Sequence, residues 1–561
     1  MINQTSPPGR ILVIGLDGAT FDLIKPWAAE GRLPALSCLM NQGAHASLES
    51  TLPPMTAPAW TSFATGTNPG RHRLYDWIAR EPDSYRFSPI TALDGTAPTI
   101  YTLLSQAGRR VCALNVPMTY PPQAVNGVLV SGMPAPDVRA ITYPEGLYQE
   151  ILNSVGDYIL YPDPGWAYSD SGVEAFLERL YRCTELRINA FDYLRGREEW
   201  DFAMMVFNGT DTISHALWKY MDATHPLHEA RLAAKFGHAI RDYYQYVDTY
   251  LSRVIETLER DTTLVLMSDH GFGPFHKFIH VNNWLIQEGF MRLRPGGRPN
   301  LKKRLFDLGF TPMNVYDTLM RLGFGALKRK VVRGQGQGLL KTLFLSFADV
   351  DWSRTTAYSL GNVGQIYINL AGREPEGSVQ PGADYERLRD DIMRKLEQLR
   401  DPATGEQVVE AVYRREEIYT GDQLDYAPDI VFMPRRLEYF GFGEYEFGSN
   451  QIIEPMKRGI SGTHRMNGIF LAYGDNIRPG AVPEQAHITD LTPTILYMMG
   501  LQTPPHMDGR VLREIFQDTF QPALSQPSSQ WQSDFDTNGQ GLTEEEKEIV
   551  AERLRDLGYV G

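Results

Sequence analysis

The sequence predicts an α/β fold interrupted by a helical insertion, and three observations point to it. Apolar runs of strand length recur and end in polar residues: Arg10–Leu16 before Asp17-Gly18, Asp201–Phe207 before Asn208-Gly-Thr-Asp211, and Thr262–Met267 before Ser268-Asp269-His270. Segments of helical periodicity alternate with these runs, as α/β units require. Between Leu301 and Lys341 the composition shifts, because Lys302, Lys303, Arg304, Arg321, Lys328, Arg329, Lys330, Arg333 and Lys341 are opposed only by Asp307 and Asp317. Leu, Phe, Val and Met interleave there, the pattern of amphipathic helices.

A chain of 561 residues is long enough for about two to four domains or for one enlarged α/β domain. Apolar residues at 42% and charged residues at 22% are globular values that exclude a disordered or fibrous protein. The net charge of −14 argues against general nucleic-acid binding, which neutralises phosphates with Lys and Arg. Cys38, Cys112 and Cys183 are too few and too scattered for a disulfide framework or a cysteine zinc site, and they fit a reducing compartment. The stretch Met1–Arg10 has no apolar signal core, and no apolar run reaches the ~18 residues that span a bilayer. The sequence therefore reads as cytoplasmic.

Taken in order, Arg10–Leu16 is a strand whose end presents Asp17, with a helix from Phe21. Thr56-Ala57-Pro58 then places a hydroxyl at the N-cap of a short helix, with Pro58 in its first turn. A phosphate or an alkoxide is favoured in the positive potential there. A helix after Thr96 and the strand ending Ala113-Leu-Asn-Val116 form an α/β unit, and Asn126–Gly132 is a further strand. An amphipathic helix covers residues 171–195. After the strand Asp201–Phe207, Asp211 and His215 share one face if the chain is helical, so that one cation can take both. A helix from Pro226 to Glu259 leads to Thr262–Met267, after which Gly271 and Gly273 are expected to let the backbone turn and bring Asp269 and His270 together. Strands return near Gln365–Leu370, Val408–Tyr413 and Asp429–Met433, with a helix at 384–400. His464 is expected in a loop just before a strand. His487–Gly500 reads as a capped helix, residues 516–542 as a linker, and 543–561 as a C-terminal helix opened by the capping pattern Thr543-Glu-Glu-Glu.

The order strand-Asp-Gly, Thr-x-Pro, Asp-x3-His, Asp-His-Gly and a late Gly-x-His resembles the alkaline phosphatase superfamily. It is most similar to the type I phosphodiesterase/nucleotide pyrophosphatase branch and its bacterial phosphohydrolase relatives. Asp490-Leu-Thr-Pro-Thr-Ile-Leu and Met507-Asp-Gly509 resemble the same superfamily's C-terminal pattern. The resemblance implies a mostly parallel central sheet with helices on both faces, built from residues 1–295 and 347–515, with 296–346 as a basic helical cap. It implies two divalent cations, zinc or alternatively manganese. Asp17, Asp269, His270 and Thr56 would hold one, and Asp211, His215 and His464 the other. Thr56 becomes a nucleophile that forms a phosphoryl-enzyme. Two cations ~4 Å apart suit in-line displacement at phosphorus.

The chain departs from the pattern at Ala59, where the branch carries an asparagine that helps hold the phosphoryl oxygens. Ala57 through its backbone N–H, Trp60, and the side chain of Asn208 become the expected substrate contacts. Thr56-Ala-Pro58-Ala-Trp60 lacks the convertible residue and the arginine of sulfatases, which argues against sulfate esters. No arginine follows Thr56 until Arg71, which favours diesters over monoesters. The expected activity is hydrolysis of phosphodiester or pyrophosphate bonds in small molecules. Phosphoryl transfer to a small molecule, lipid or glycan is the alternative, and a non-catalytic binding module a third reading. For residues 301–341 the readings are a solvated cap face, a patch for membrane lipid, or a collar steering anionic substrate. Of these, the solvated face is preferred.

Overall fold

A computed structural model describes residues 9–162, 169–321, 344–457, 459–525 and 541–556. Its central sheet has nine strands in the order Ala486–His487, Ala44–Glu49, Asn467–Tyr473, Thr262–Met267, Arg10–Leu16, Phe202–Phe207, Val111–Val116, Gly127–Ser131, Thr142–Tyr143. The strands from Thr262–Met267 to Gly127–Ser131 are mutually parallel, and Asn467–Tyr473 runs against them. Their carboxyl ends therefore share one edge, where ligands of open α/β sheets bind.

Alternation within one strand explains the helices on both faces. Leu12, Ile14 and Leu16 join an apolar cluster with the helices Phe21–Ala29, Asp170–Arg197 and Ala239–Glu256. Ile11 and Val13 point the other way, into a second cluster with Thr56–Thr65, Ile100–Gln106 and Leu491–Met498. A strand buried on both faces reads as a continuous apolar run, the pattern seen in the sequence. The single helix expected over 226–259 is instead two, Ala230–Phe236 and Ala239–Glu256. The break falls at Gly237, a poor helix former.

Residues between Lys277 and Pro455 add two four-stranded sheets. One is Gly361–Asn362, Tyr439–Gly443, Lys277–His280 and Ile453–Pro455; the other is Ala357–Tyr358, Gln365–Ile368, Ile430–Pro434 and Val409–Arg414. They share an apolar cluster that includes Trp284, Tyr358 and Phe432. The basic segment opens with helices Gly297–Asp307 and Pro312–Arg321, and Leu301 and Leu308 are exposed there. Lys328, Arg329, Lys330, Arg333 and Lys341, residues 526–540 of the expected linker, and residues 557–561 of the expected C-terminal helix lie outside the described residues. The C-terminal helix runs Glu544–Asp556, capped by Thr543 Oγ1, which accepts from Glu546 N–H at 3.3 Å. Val550 and Leu554 are buried, and Arg553 donates to Ala135 O at 2.6 Å. Among the described residues no helix is long and apolar enough to cross a membrane.

Candidate metal centre

Four chain segments meet at the carboxyl edge of the sheet. Asp17 follows Arg10–Leu16, and Asp269 and His270 follow Thr262–Met267. Gly18 N–H, in a left-handed turn with φ 67°, donates to Asp269 Oδ1 at 3.1 Å and ties these two strand ends together. Asp211 and His215 lie on the helix Gly209–Met221, and the i, i+4 spacing sets His215 Nε2 3.3 Å from Asp211 Oδ1. His464 lies not in a loop but in a short strand, Gly462–Arg465, paired antiparallel with Gly271–Pro274. That pairing corrects the expectation for Gly271 and Gly273, which sit in extended backbone rather than a turn. They are needed for close approach: a Cβ on Gly271 would stand 2.1 Å from Asn467 O, and one on Gly273 2.5 Å from Arg465 Nε.

The three imidazoles are oriented alike. Nδ1–H of His215 donates to Gly462 O at 2.8 Å, that of His464 to Pro54 O at 2.8 Å, and that of His270 to Gly271 O at 3.0 Å. A carbonyl only accepts, so each ring carries its proton on Nδ1 and turns the Nε2 lone pair toward the carboxylates, the tautomer of a metal-ligating histidine. His215 Nε2 and His464 Nε2 stand 3.1 Å apart, and His464 Nε2 is 3.4 Å from Asp211 Oδ1. Two lone pairs facing each other at that distance call for positive charge beside them. The ligand atoms of Asp211, His215 and His464 all lie within 4.8 Å of one another, and so do those of Asp17, Asp211 and His270. Asp211 thus belongs to both groups. Asp269 Oδ2 is 3.1 Å from His270 Nε2, beside the second group.

The electrostatics point the same way. Burial, with the charges of Asp269 and Asp211, pushes the Asp17 carboxyl well above its usual range. Asp269 is pushed up to about 8, chiefly by burial and against the Gly18 N–H. Burial also raises Asp211, but positive charge at the His215 and His464 rings, the charge a bound cation would otherwise supply, outweighs it and holds that carboxyl well below the ordinary value. Burial and the neighbouring His464 ring keep His270 well below a normal imidazole, and burial lowers His464. Asp17 Oδ1 and Asp269 Oδ2 are buried and accept no hydrogen bond. Three buried carboxylates and three aligned imidazoles need cations or protons, and the mixed oxygen and nitrogen donors suit borderline divalent ions. The residues present fit a pair of such ions.

Thr56 opens the helix Thr56–Thr65 as its first residue, with Met55 rather than Thr56 at the cap position. Its hydroxyl donates to His270 Nε2 at 3.2 Å, at the positive end of the helix. Ala57 follows it, buried. Ala59 is fully buried in the apolar cluster beneath the helix, and so is Trp60. Trp60 packs on Gly15, where a Cβ would lie 2.6 Å from Trp60 Cη2, so its ring faces the sheet and is not brought to the carboxylates and imidazoles. Asn208 is brought there, its Nδ2 donating to Asp17 Oδ2 at 2.9 Å.

Three residues at the site escaped the sequence reading. Arg465 donates to His464 O and Leu437 O, both at 2.9 Å, and to Pro274 O at 2.6 Å, clamping the strand that carries His464. Asn115 and Arg187 both donate to Asn208 Oδ1. The signals were a polar residue inside Val-Cys-Ala-Leu-Asn-Val and an arginine on the apolar face of an amphipathic helix. A cavity of about 590 Å³ lies at the opposite edge, by Asn41, Arg260, Thr262 and Tyr473, and contains none of these residues.

Residues 11–448 match the family model described as type I phosphodiesterase/nucleotide pyrophosphatase. Among solved structures, the chain is similar to phosphonoacetate hydrolase from Sinorhizobium meliloti 1021 in complex with phosphonoformate, at 16% identity and TM-score 0.51, over 88% of this chain and 96% of that one. The same hydrolase in complex with phosphonoacetate matches at 14% identity and TM-score 0.50 over 88% and 96%. Human ectonucleotide pyrophosphatase/phosphodiesterase 5 matches at 14% identity and TM-score 0.46, over 89% and 97%. At such identities the two hydrolase structures show a shared fold. No curated protein matches the chain.

Proposed function

The chain belongs to the type I phosphodiesterase/nucleotide pyrophosphatase family, metal-dependent hydrolases of phosphoric esters, and on that premise we propose that it cleaves phosphodiester or pyrophosphate bonds through a phosphothreonine at Thr56. Asp17, Asp269, His270 and Thr56 would hold one divalent cation and Asp211, His215 and His464 the other, zinc in preference to manganese. Bound there, the pair supplies Lewis acidity that lowers the pKa of a hydroxyl and neutralises phosphoryl charge.

The observation that carries the proposal is the placement of Thr56. Its hydroxyl lies at a helix N-terminus and within 3.2 Å of His270 Nε2, beside two Asp/His groups joined through Asp211. Thr56 Oγ1, its proton lost to solvent, forms a bond to phosphorus as the bond to the leaving oxygen breaks and that oxygen takes a proton from solvent; water then attacks the phosphorus, releasing the phosphate product and returning a proton to Thr56 Oγ1. Ala57 N–H and the Asn208 amide donate to the phosphoryl oxygens, in place of the asparagine that Ala59 lacks. Asp17 and Asp269 hold the negative charge that fixes cation binding, and the three Nδ1–H···O=C bonds hold the rings in register.

The substrate is a small phosphoester rather than a nucleic-acid polymer, in keeping with the net charge of −14, and the three dispersed cysteines suit the cytoplasm. The described part of the basic insertion, the helices Gly297–Asp307 and Pro312–Arg321, is read as a cap, in which Lys302 turns inward to Asp349 at 2.8 Å rather than to solvent. Hydrolysis of a chiral phosphorothioate diester in heavy-oxygen water, which keeps the product phosphorus stereogenic, tests the covalent route. Two displacements give net retention at phosphorus; inversion contradicts a threonine intermediate.

A further inference from the structure

The helix Asp170–Arg197 turns Leu180, Thr184, Arg187, Phe191 and Leu194 inward, at the spacing of an apolar stripe with an arginine at its centre. Arg187 is 2% exposed. Among the described residues no carboxylate pairs with it, and its neighbours Cys183, Tyr158, Tyr161 and Tyr243 are neutral at pH 7. A cation placed on a buried face without an ion pair is rare and costly, so its surroundings should reveal what it serves. Nη2 donates to Leu160 O at 2.6 Å and Nη1 to Asn208 Oδ1 at 3.3 Å.

Asn208 takes a second donor on the same oxygen. Asn115 Nδ2 donates to Asn208 Oδ1 and to Val206 O, the latter at 2.8 Å. Asn115 does so from a bulge between Leu114 and Val116, with φ 59°, a conformation that costs a non-glycine residue energy and recurs next to functional groups. With two donors on its oxygen, the Asn208 amide can present only its nitrogen to Asp17, at 2.9 Å. One N–H of that nitrogen is used by Asp17, and among the described residues the other meets no acceptor.

We propose that Arg187 is a positioning residue which, with Asn115, locks the Asn208 amide with its N–H groups toward Asp17 and the phosphoryl site, while its charge offsets the buried carboxylates through that amide. The inference rests on the proposed hydrolytic function for its kinetic readout, but not for its binding readout. If the amide were free to flip, its oxygen would face Asp17 and the phosphoryl oxygens and repel both. The lock therefore raises cation affinity and kcat together and leaves the outer parts of the substrate untouched.

A double-mutant cycle on the full chain tests this. Arg187→Met, Asn208→Ala and the double variant are compared by zinc affinity, measured by competition with a chromogenic chelator, and by kcat and KM on bis(p-nitrophenyl) phosphate. Each single change should lower zinc affinity and kcat about tenfold or more with KM moved less than about threefold, and the double variant should fall no further than the weaker single. Multiplied losses in the double variant would overturn the inference, because Arg187 would then act elsewhere. Asn208→Ala with unaltered zinc affinity and kcat would overturn it as well, leaving the role of Thr56 intact. If the wild-type chain hydrolyses none of the phosphoric esters offered, the functional reading fails and zinc affinity alone decides the cycle. Should Arg187→Met not fold, Asn115→Ala replaces it, with the same non-additivity expected.

Discussion

Asp211 stands in both cation groups, and replacing it by asparagine tests that geometry. Its ligand atom lies within 4.8 Å of those of Asp17 and His270, and of those of His215 and His464. At an effective dielectric of about 20, one unit charge at about 4.8 Å is worth about 3 kcal/mol per unit of cation charge. Even one such unit lowers affinity by about two orders of magnitude. Asp211→Asn should therefore weaken both cations, with bound metal after dialysis falling from two ions per chain to fewer than one. His215→Gln, which touches one group, should leave about one. Elemental analysis paired with chelator competition reads both numbers. Retention of one ion at wild-type affinity in Asp211→Asn would refute the shared position and return Asp211 to a single site.

Other consequences are separately measurable. His280 sits between Glu444 and Glu454, with Nδ1 and Nε2 at 3.4 and 3.3 Å from their oxygens, and these carboxylates outweigh burial to raise it to about 9. A raised histidine stabilises fully below about 6.5 and loses that contribution as pH climbs through about 9. His280→Gln should thus cost about 3 kcal/mol in urea unfolding at pH 6 and much less at pH 10; an equal cost at both would refute the pairing. Removing metal with a chelator should lower the thermal midpoint, and cation at about a hundred times its Kd should restore about 2.7 kcal/mol. An unchanged midpoint would argue against buried cations. Arg465→Met leaves the carbonyls of Leu437, His464 and Pro274 without their donor. It should destabilise the protein by about 3 kcal/mol and reduce metal binding; intact metal binding would show that the clamp does not position His464.

Much of the site was legible because its residues follow strands that announce themselves. Asp17 and Asp269 each close an apolar run, and Asp211 and His215 carry their helical spacing openly. His464 was reached only through resemblance, since a solitary histidine before a strand has no local signal, and the pairing of Gly462–Arg465 with Gly271–Pro274 is long-range. Trp60 shows the limit in the other direction. One helical turn after Thr56 sounds like the same face, yet its bulk fills the space over Gly15 instead. Of the two small sheets, the one built on Gln365–Ile368, Ile430–Pro434 and Val409–Arg414 shows in the sequence as apolar runs, whereas strands of the other, such as Gly361–Asn362, are too short to show a period. Asn115 and Arg187 were passed over because each sits inside an element whose apolar pattern dominates.

The proposed hydrolysis stands on Thr56 as the nucleophile beside two cations. Thr56→Ala removes one hydroxyl from a buried helix start and leaves all six Asp and His ligands in place. Turnover of an activated phosphodiester and bound metal per chain should be measured on the same preparation. A threonine nucleophile predicts that turnover is lost while bound metal persists; wild-type turnover in that variant would contradict it.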